Sequence, residues 1–201
     1  MINKITEQGR RTAPSAKPST RHPWLSGVLV LMLLGSGLGL AQSGSVPKFN
    51  EYEVKAAFVL NFLQFIEWPA GTSTNTGTPL VIGILGENPF GAALDETIKD
   101  ETVQGRPLKI KRARQASDLR DCQLVFVCRS EKNHLKDILV TLQGSGALTV
   151  SDIEQFSQHG GMIGLVNEGG RIRFEINQES AEQGNVKISS KLLRLARPMS
   201  K

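Results

Sequence analysis

Three stretches of the sequence have the residue types for catalysis. His159-Gly160-Gly161 has the composition of the loop that holds an oxyanion in esterases. That chemistry needs a serine on a G-x-S-x-G elbow, and the chain contains none. The histidines are His22, His134 and His159, and no pair of them stands at ligand spacing with a cysteine or carboxylate. Gly83 to Gly86 follows an apolar run but lacks the spacing and the lysine of a phosphate loop. These missing geometries argue against an enzyme and against a bound cofactor or metal. His159 reads instead as a helix C-terminal residue before a glycine stop, where an imidazole meets the helix dipole.

Charged residues at strand and helix positions suit binding better than catalysis. Arg171, Arg173 and Glu175 alternate with Ile172, Phe174 and Ile176, so one strand face is core and the other polar, with Asn177 following. Such a face can select a protein partner by charge while apolar neighbours supply affinity. A second reading is a small-molecule sensor in which Lys55, Arg106 or Arg173 fixes an anion near strand ends. Lys55 is unusual because its helical angle falls among apolar residues. Either its stem packs and its ammonium snorkels outward, or it is a buried cation paired with a carboxylate, for which Glu175 is one candidate.

The cysteines, Cys122 and Cys128, both lie in CQLVFVC, which has the Val/Phe character of a buried strand. Six strand steps separate them by about 20 Å, against the roughly 4.4–6.8 Å between Cα atoms that a disulfide spans. They therefore cannot bond to each other across a continuous strand. Buried free thiols are the expectation, with an intermolecular bridge through one of them as the alternative.

The elements that must position these residues alternate in type. The segment 51–69 reads as an amphipathic helix with Val54, Phe58, Val59, Phe62, Phe65 and Ile66 on one face and Glu53, Gln64 and Glu67 opposite. It stops at Trp68-Pro69 and is too short and polar to span a bilayer. A Gly/Ser/Thr/Asn loop over 71–79 leads to a strand (79–86), a short helix (88–98) and an alternating strand (106–113) with Leu108 and Ile110 on one face. Next come a short helix at 117–120, the CQLVFVC strand, a helix from Glu131 to Leu142, a strand at 147–151 and a helix from Asp152 to His159. Residues 161–177 form two strands around Asn167-Glu168-Gly169-Gly170, which is hairpin chemistry. A last helix is capped by Ser189 or Ser190 and stopped by Pro198. This pattern predicts one α/β domain with a mixed sheet, helices on both faces and a C-terminal antiparallel hairpin.

The 201 residues carry a net charge of +5, which suggests nucleic acid until its location is considered. Residues 1–41 hold Lys4, Arg10, Arg11, Lys17 and Arg21 against Glu7. Setting those five bases and one acid aside from totals of 24 and 19 leaves 19 against 18, nearly neutral, so no nucleic-acid partner is expected. The same leader joins a basic segment to an apolar run, Trp24 to Leu40, with small residues ending at Ala41. It reads as a secretory signal peptide cleaved near Ala41, because the run falls short of the roughly 20 residues of a membrane span. The expected organisation is a signal peptide over 1–41, a short linker over 42–50 and a domain over 51–198 in the periplasm.

The opening Tyr52-Glu-Val-Lys-Ala-Ala-Phe-Val-Leu-Asn-Phe-Leu-Gln-Phe-Ile-Glu-Trp68-Pro69 resembles the signature of the YfiR-like periplasmic proteins. The similarity continues through Glu87-Asn88-Pro89-Phe90-Gly91, Val103-Gln104-Gly105-Arg106-Pro107, the Cys122 strand and Gly160-Gly161-Met162-Ile163-Gly164-Leu165. It ends with Arg173-Phe174-Glu175-Ile176-Asn177 and Ser190-Lys191-Leu192-Leu193-Arg194-Leu195-Ala196. The resemblance implies an exported α/β regulator without catalytic activity, commonly a dimer. It implies binding to the periplasmic sensor domain of an inner-membrane diguanylate cyclase, which is thereby held inactive, and in some systems capture by an outer-membrane lipoprotein. Release would raise cyclic di-GMP and favour biofilm. Members can carry disulfides between distant segments, a pattern from which the two cysteines here depart. The sensor reading would have the domain serve another receptor, such as a histidine kinase.

Overall fold

The computed structural model describes residues 50–67 and 77–199. The expected signal peptide, most of the expected linker, the Trp68-Pro69 stop and much of the 71–79 loop lie outside the described residues. In chain order the elements are α1 (Glu51–Gln64), β1 (Ile66–Glu67), β2 (Leu80–Leu85), α2 (Ala93–Ile98), β3 (Thr102–Val103), β4 (Arg106–Ala113), β5 (Leu124–Val127), α3 (Leu135–Leu142), β6 (Leu148–Ser151), β7 (Ile163–Glu168), β8 (Arg171–Ile176), α4 (Gln178–Gln183), β9 (Lys187–Ile188) and α5 (Ser190–Leu195). Short 3-10 helices cover Ala116–Leu119 and Arg129–His134.

Seven strands form one mixed sheet in the order β3-β4-β2-β5-β6-β7-β8. The five inner strands, β4, β2, β5, β6 and β7, run parallel, and β3 and β8 close the two sides in antiparallel pairs. Buried on both faces, β2 and β5 read as continuous apolar runs, while β6 alternates Leu148 and Val150 with the buried Thr149 and Ser151. One face buries Ile82, Ile84, Leu124, Phe126, Leu148 and Val150 beneath α1, α2 and α5. The other buries Leu85, Val125 and Val127 beneath the 116–119 turn and α3, which contributes Leu135, Ile138 and Leu142 at helical spacing. The expected α/β class, helices on both faces and the C-terminal hairpin are all present.

Three expectations are corrected in detail. The buried stripe of α1 is Lys55, Ala56, Val59, Phe62 and Leu63, shifted from the predicted face so that Val54 is only half-buried. Ile66 leaves the helix to pair with Ile188 in a two-stranded ladder, β1 with β9, that two-residue strands do not announce in a sequence. Asp152 to His159 is a succession of turns instead of a helix. Gln155 adopts φ +58°, and Phe156 and Ser157 pack against Gly161 and Gly164, so tertiary packing overrides helical propensity there.

The hairpin forms as its residues dictate. Glu168 faces Arg171 across Gly169-Gly170, whose φ values of +57° and +81° suit the mirror-image turn that matches strand twist. Ser189 caps α5 by accepting from the Leu192 N–H, and Asn177 caps α4 by accepting from the Ser180 N–H.

Candidate functional site

In parallel α/β sheets, groups that bind or switch gather at the carboxyl ends of the strands, near the point where strand order reverses. Here the chain leaves β2 for β4 on one side and returns to β5 on the other. The crevice between β2 and β5 is occupied by the protein itself. The Glu87 N–H donates to Ser130 Oγ at 3.0 Å, and Ser130 Oγ donates to Glu131 Oε1 at 2.8 Å. A side chain at Gly86, whose φ is +94°, would collide with Ser130 and Glu131.

The neighbouring strand ends carry a charge cluster that ties α1 to the β6–β7 connection. Lys55 is 1% exposed, and its ammonium lies 2.5 Å from Asp152 Oδ2, on a side chain with no exposed surface. Glu51, one turn earlier on α1, binds the same ammonium. Arg129, following β5, places Nε 3.1 Å from Asp152 Oδ2 and donates to the Asp152 carbonyl at 3.2 Å. The Tyr52 hydroxyl donates to Asp152 Oδ2 at 2.9 Å, and its ring lies 4.4 Å beneath the Lys55 ammonium. Two cations and two carboxylates thus cancel within the cluster, the condition for tolerating buried charge. Asp152 Oδ1 finds no hydrogen-bond partner among the described residues.

Electrostatics follow this geometry. The hydrogen bond from Lys55 holds the Glu51 carboxyl below its usual range, while burial and the neighbouring Asp152 charge push Tyr52 up to about 12. Tyr52 packs edge-on to Phe90 at 5.5 Å, and Phe90 packs on Phe126 of β5 at 4.8 Å, so the cluster is keyed to the core.

The structure assigns distinct situations to the six residues singled out in the sequence. Lys55 does not snorkel, and its partner is Asp152 with Glu51; Glu175 is not involved. Glu175 is itself buried at 3%, paired with Arg197 at 3.1 Å and accepting from Gln158, so it departs from the expected solvated face. Arg106 is 7% exposed and donates to the carbonyls of Thr78 and Pro79 at 2.7 and 3.2 Å, tying β4 to the start of β2. Asn177 caps α4 and donates to the Ser157 carbonyl. Arg171 and Arg173 are exposed. Lys55, Arg106 and Arg173 are therefore not gathered into one anion pocket.

Arg171 and Ile172 instead line a groove with Asn50, Glu51 and Val54 of α1 and with Asn167 and Gly170 of the hairpin. Asn167 donates to Glu51 at 3.1 Å, joining groove and charge cluster. Sequence reasoning missed Glu51, Arg129 and Asp152. Two signals were present: Glu51 lies four residues before Lys55 on a helix, and Asp152 directly follows a parallel strand.

Cys122 and Cys128 are free and buried, just outside the two ends of β5. Burial pushes their thiols up, to about 11 and about 12. No group of described residues could hold a metal ion, and no described helix is long and apolar enough to cross a membrane.

Comparisons place this arrangement among known proteins. A crystal structure of a conserved domain protein from Vibrio cholerae O1 biovar El Tor matches with a TM-score of 0.51 at 12% identity, a likeness of fold alone. The match covers 75% of this chain and 60% of that one. No curated protein matches the sequence. The family model described as YfiR/HmsC-like matches residues 52–197, from the tyrosine beneath the buried ammonium to the arginine that binds Glu175. That span takes in the whole seven-stranded sheet and, apart from Asn50 and Glu51 just before it, the charge cluster and the groove, and the chain belongs to the YfiR/HmsC-like family, a family of regulatory proteins of cyclic di-GMP signalling.

Proposed function

We propose that the protein is exported to the periplasm by residues 1–41 and there represses a membrane-bound diguanylate cyclase by binding its periplasmic sensor domain. The observation that carries this reading is the family match over residues 52–197. Two exposed arginines beside an apolar groove give such a regulator a surface for a protein partner. Repression is then a population shift: the bound regulator favours the inactive arrangement of the cyclase by its higher affinity for that state. A homodimer and capture by an outer-membrane lipoprotein belong to the same proposal.

The test is cellular cyclic di-GMP in strains with the gene deleted, restored, restored without residues 1–41, and restored as Arg171→Glu/Arg173→Glu. Deletion should raise the nucleotide, and only the exported wild-type form should reverse the rise. Reversing both charges should weaken association on the order of a hundredfold and leave the circular dichroism spectrum unchanged. Unchanged cyclic di-GMP in every strain, with the protein present, would refute repression of a cyclase and favour service to another receptor.

A further inference from the structure

How a partner is held follows from the outer edge of β8. In an antiparallel pair the backbone groups of successive residues alternate between facing the partner strand and facing away. Arg197 fixes the phase on β8, because its N–H donates to the Phe174 carbonyl at 2.9 Å from the far side of the sheet. Residues in register with Phe174 therefore turn their backbone groups outward. Ile172 is the next such residue toward the hairpin, and no hydrogen bond among the described residues takes its outward N–H or C=O. The C-terminal segment covers this edge only around Glu175, by the parallel bridge with Arg197. Beyond it, from Arg171 to Arg173, no described residue pairs with the edge.

Both faces of this opening have a defined character. Arg171 and Arg173 lie two residues apart on one face, about 7 Å along the strand. The acids on the same face of the hairpin, Glu168 opposite Arg171 and Glu175 two residues beyond Arg173, are both bound by Arg197. On the other face Ile172 and Val54 form the apolar part of the groove, and Glu51 at its rim is bound by Lys55 and Asn167.

We propose that this edge takes up an extended segment of the protein partner as an added strand. Acidic side chains two residues apart lie beside Arg171 and Arg173, and the apolar side chain between them enters the groove over Val54 and Ile172. Strand addition supplies affinity through main-chain hydrogen bonds and specificity through alternate side chains, and the alternation of charge and apolar surface here sets that order. A second copy of this chain is a poor occupant, because among the described residues the sheet edges it offers carry Lys109 on β4, beside the ion-paired Lys111 and Arg112, or the same arginines on β8. Like charges would then face each other across the new ladder. The proposal rests on the partner-binding reading above and specifies its geometry.

Three blocked peptides test it on the purified full-length protein: Ac-TEVEVT-NH2, its lysine counterpart Ac-TKVKVT-NH2, and the acidic peptide with the central valine N-methylated. The acidic peptide should bind at millimolar concentration or below and slow hydrogen exchange at the Ile172 amide at least tenfold at saturation. The lysine peptide should bind at least tenfold more weakly, and this preference should invert in Arg171→Glu/Arg173→Glu. N-methylation leaves every charge in place and removes a main-chain donor, so it should also cost at least tenfold. Equal binding of the methylated or lysine peptide, or protection confined to other amides, would overturn strand addition. Protection of Ile172 that rises with protein concentration alone would overturn the choice of occupant in favour of self-association. The cyclic di-GMP assay fails separately: peptide binding with no cellular effect refutes the cyclase, whereas derepression by the charge reversal without peptide binding refutes only the added strand.

Discussion

Lys55 shows what a charge can do inside a small core. Its carboxylate partner Asp152 has no exposed surface, so removing the ammonium leaves a buried anion with the exposed Arg129 as its one remaining cation and the Tyr52 hydroxyl as a donor. Lys55→Ala should lower stability by about 3 kcal/mol in urea denaturation, whereas Lys55→Met combined with Asp152→Leu should come within about 1 kcal/mol of wild type. A loss below about 1 kcal/mol for the single change would show that the pair does not hold α1. The thiols give a pH prediction. Cys122 and Cys128 have folded values near 11 and 12 against ordinary values of 9.0, so the folded state keeps protons that the unfolded state releases. Their contribution to stability is complete below about pH 9 and is lost as pH rises through 11 to 12, which urea titrations at pH 8 and 10 would reveal. In native buffer at pH 8 neither thiol should react with Ellman's reagent, and both should react after unfolding. At this scale the sequence disclosed that Lys55 was anomalous but not its partner, because the partner lies 97 residues away on a connection without periodic pattern.

At the scale of elements, the strands and the hairpin were legible because buried parallel strands are continuous apolar runs and two glycines mark a turn. The 152–159 connection was not, because its shape comes from contacts that side-chain pattern does not encode. Gly161 makes the point. A Cβ there would lie well inside contact distance of the nearest carbon of the Phe156 ring, and Phe156 is only 1% exposed, so the ring has little room to yield. Gly161→Ala should cost about 1–3 kcal/mol of overpacking, whereas Gly170→Ala meets open space and should cost about 1 kcal/mol for its positive φ alone. Denaturation midpoints of the two variants would rank them, and equal losses would mean that Phe156 yields. The glycine pair after His159 thus admits an aromatic side chain, in place of the helix stop expected from sequence.

Over the whole molecule, the two open sheet edges carry lysines and arginines, which discourage indiscriminate pairing and leave selection to charge. The joining of the first described helix to late parts of the chain has a further consequence in time. Lys55 meets Asp152 across 97 residues and Glu51 meets Asn167 across 116, so docking α1 closes long loops in the fold. Such contacts repay their loop entropy only after the intervening sheet exists, and they form after the folding barrier has been crossed. Lys55→Ala should therefore speed unfolding on the order of a hundredfold and leave the refolding rate nearly unchanged in stopped-flow chevrons. A matching fall in the refolding rate would place the clasp inside the nucleus. A late clasp of this kind makes α1 the element whose release governs how long the native state lasts, while the parallel sheet governs how fast it is reached.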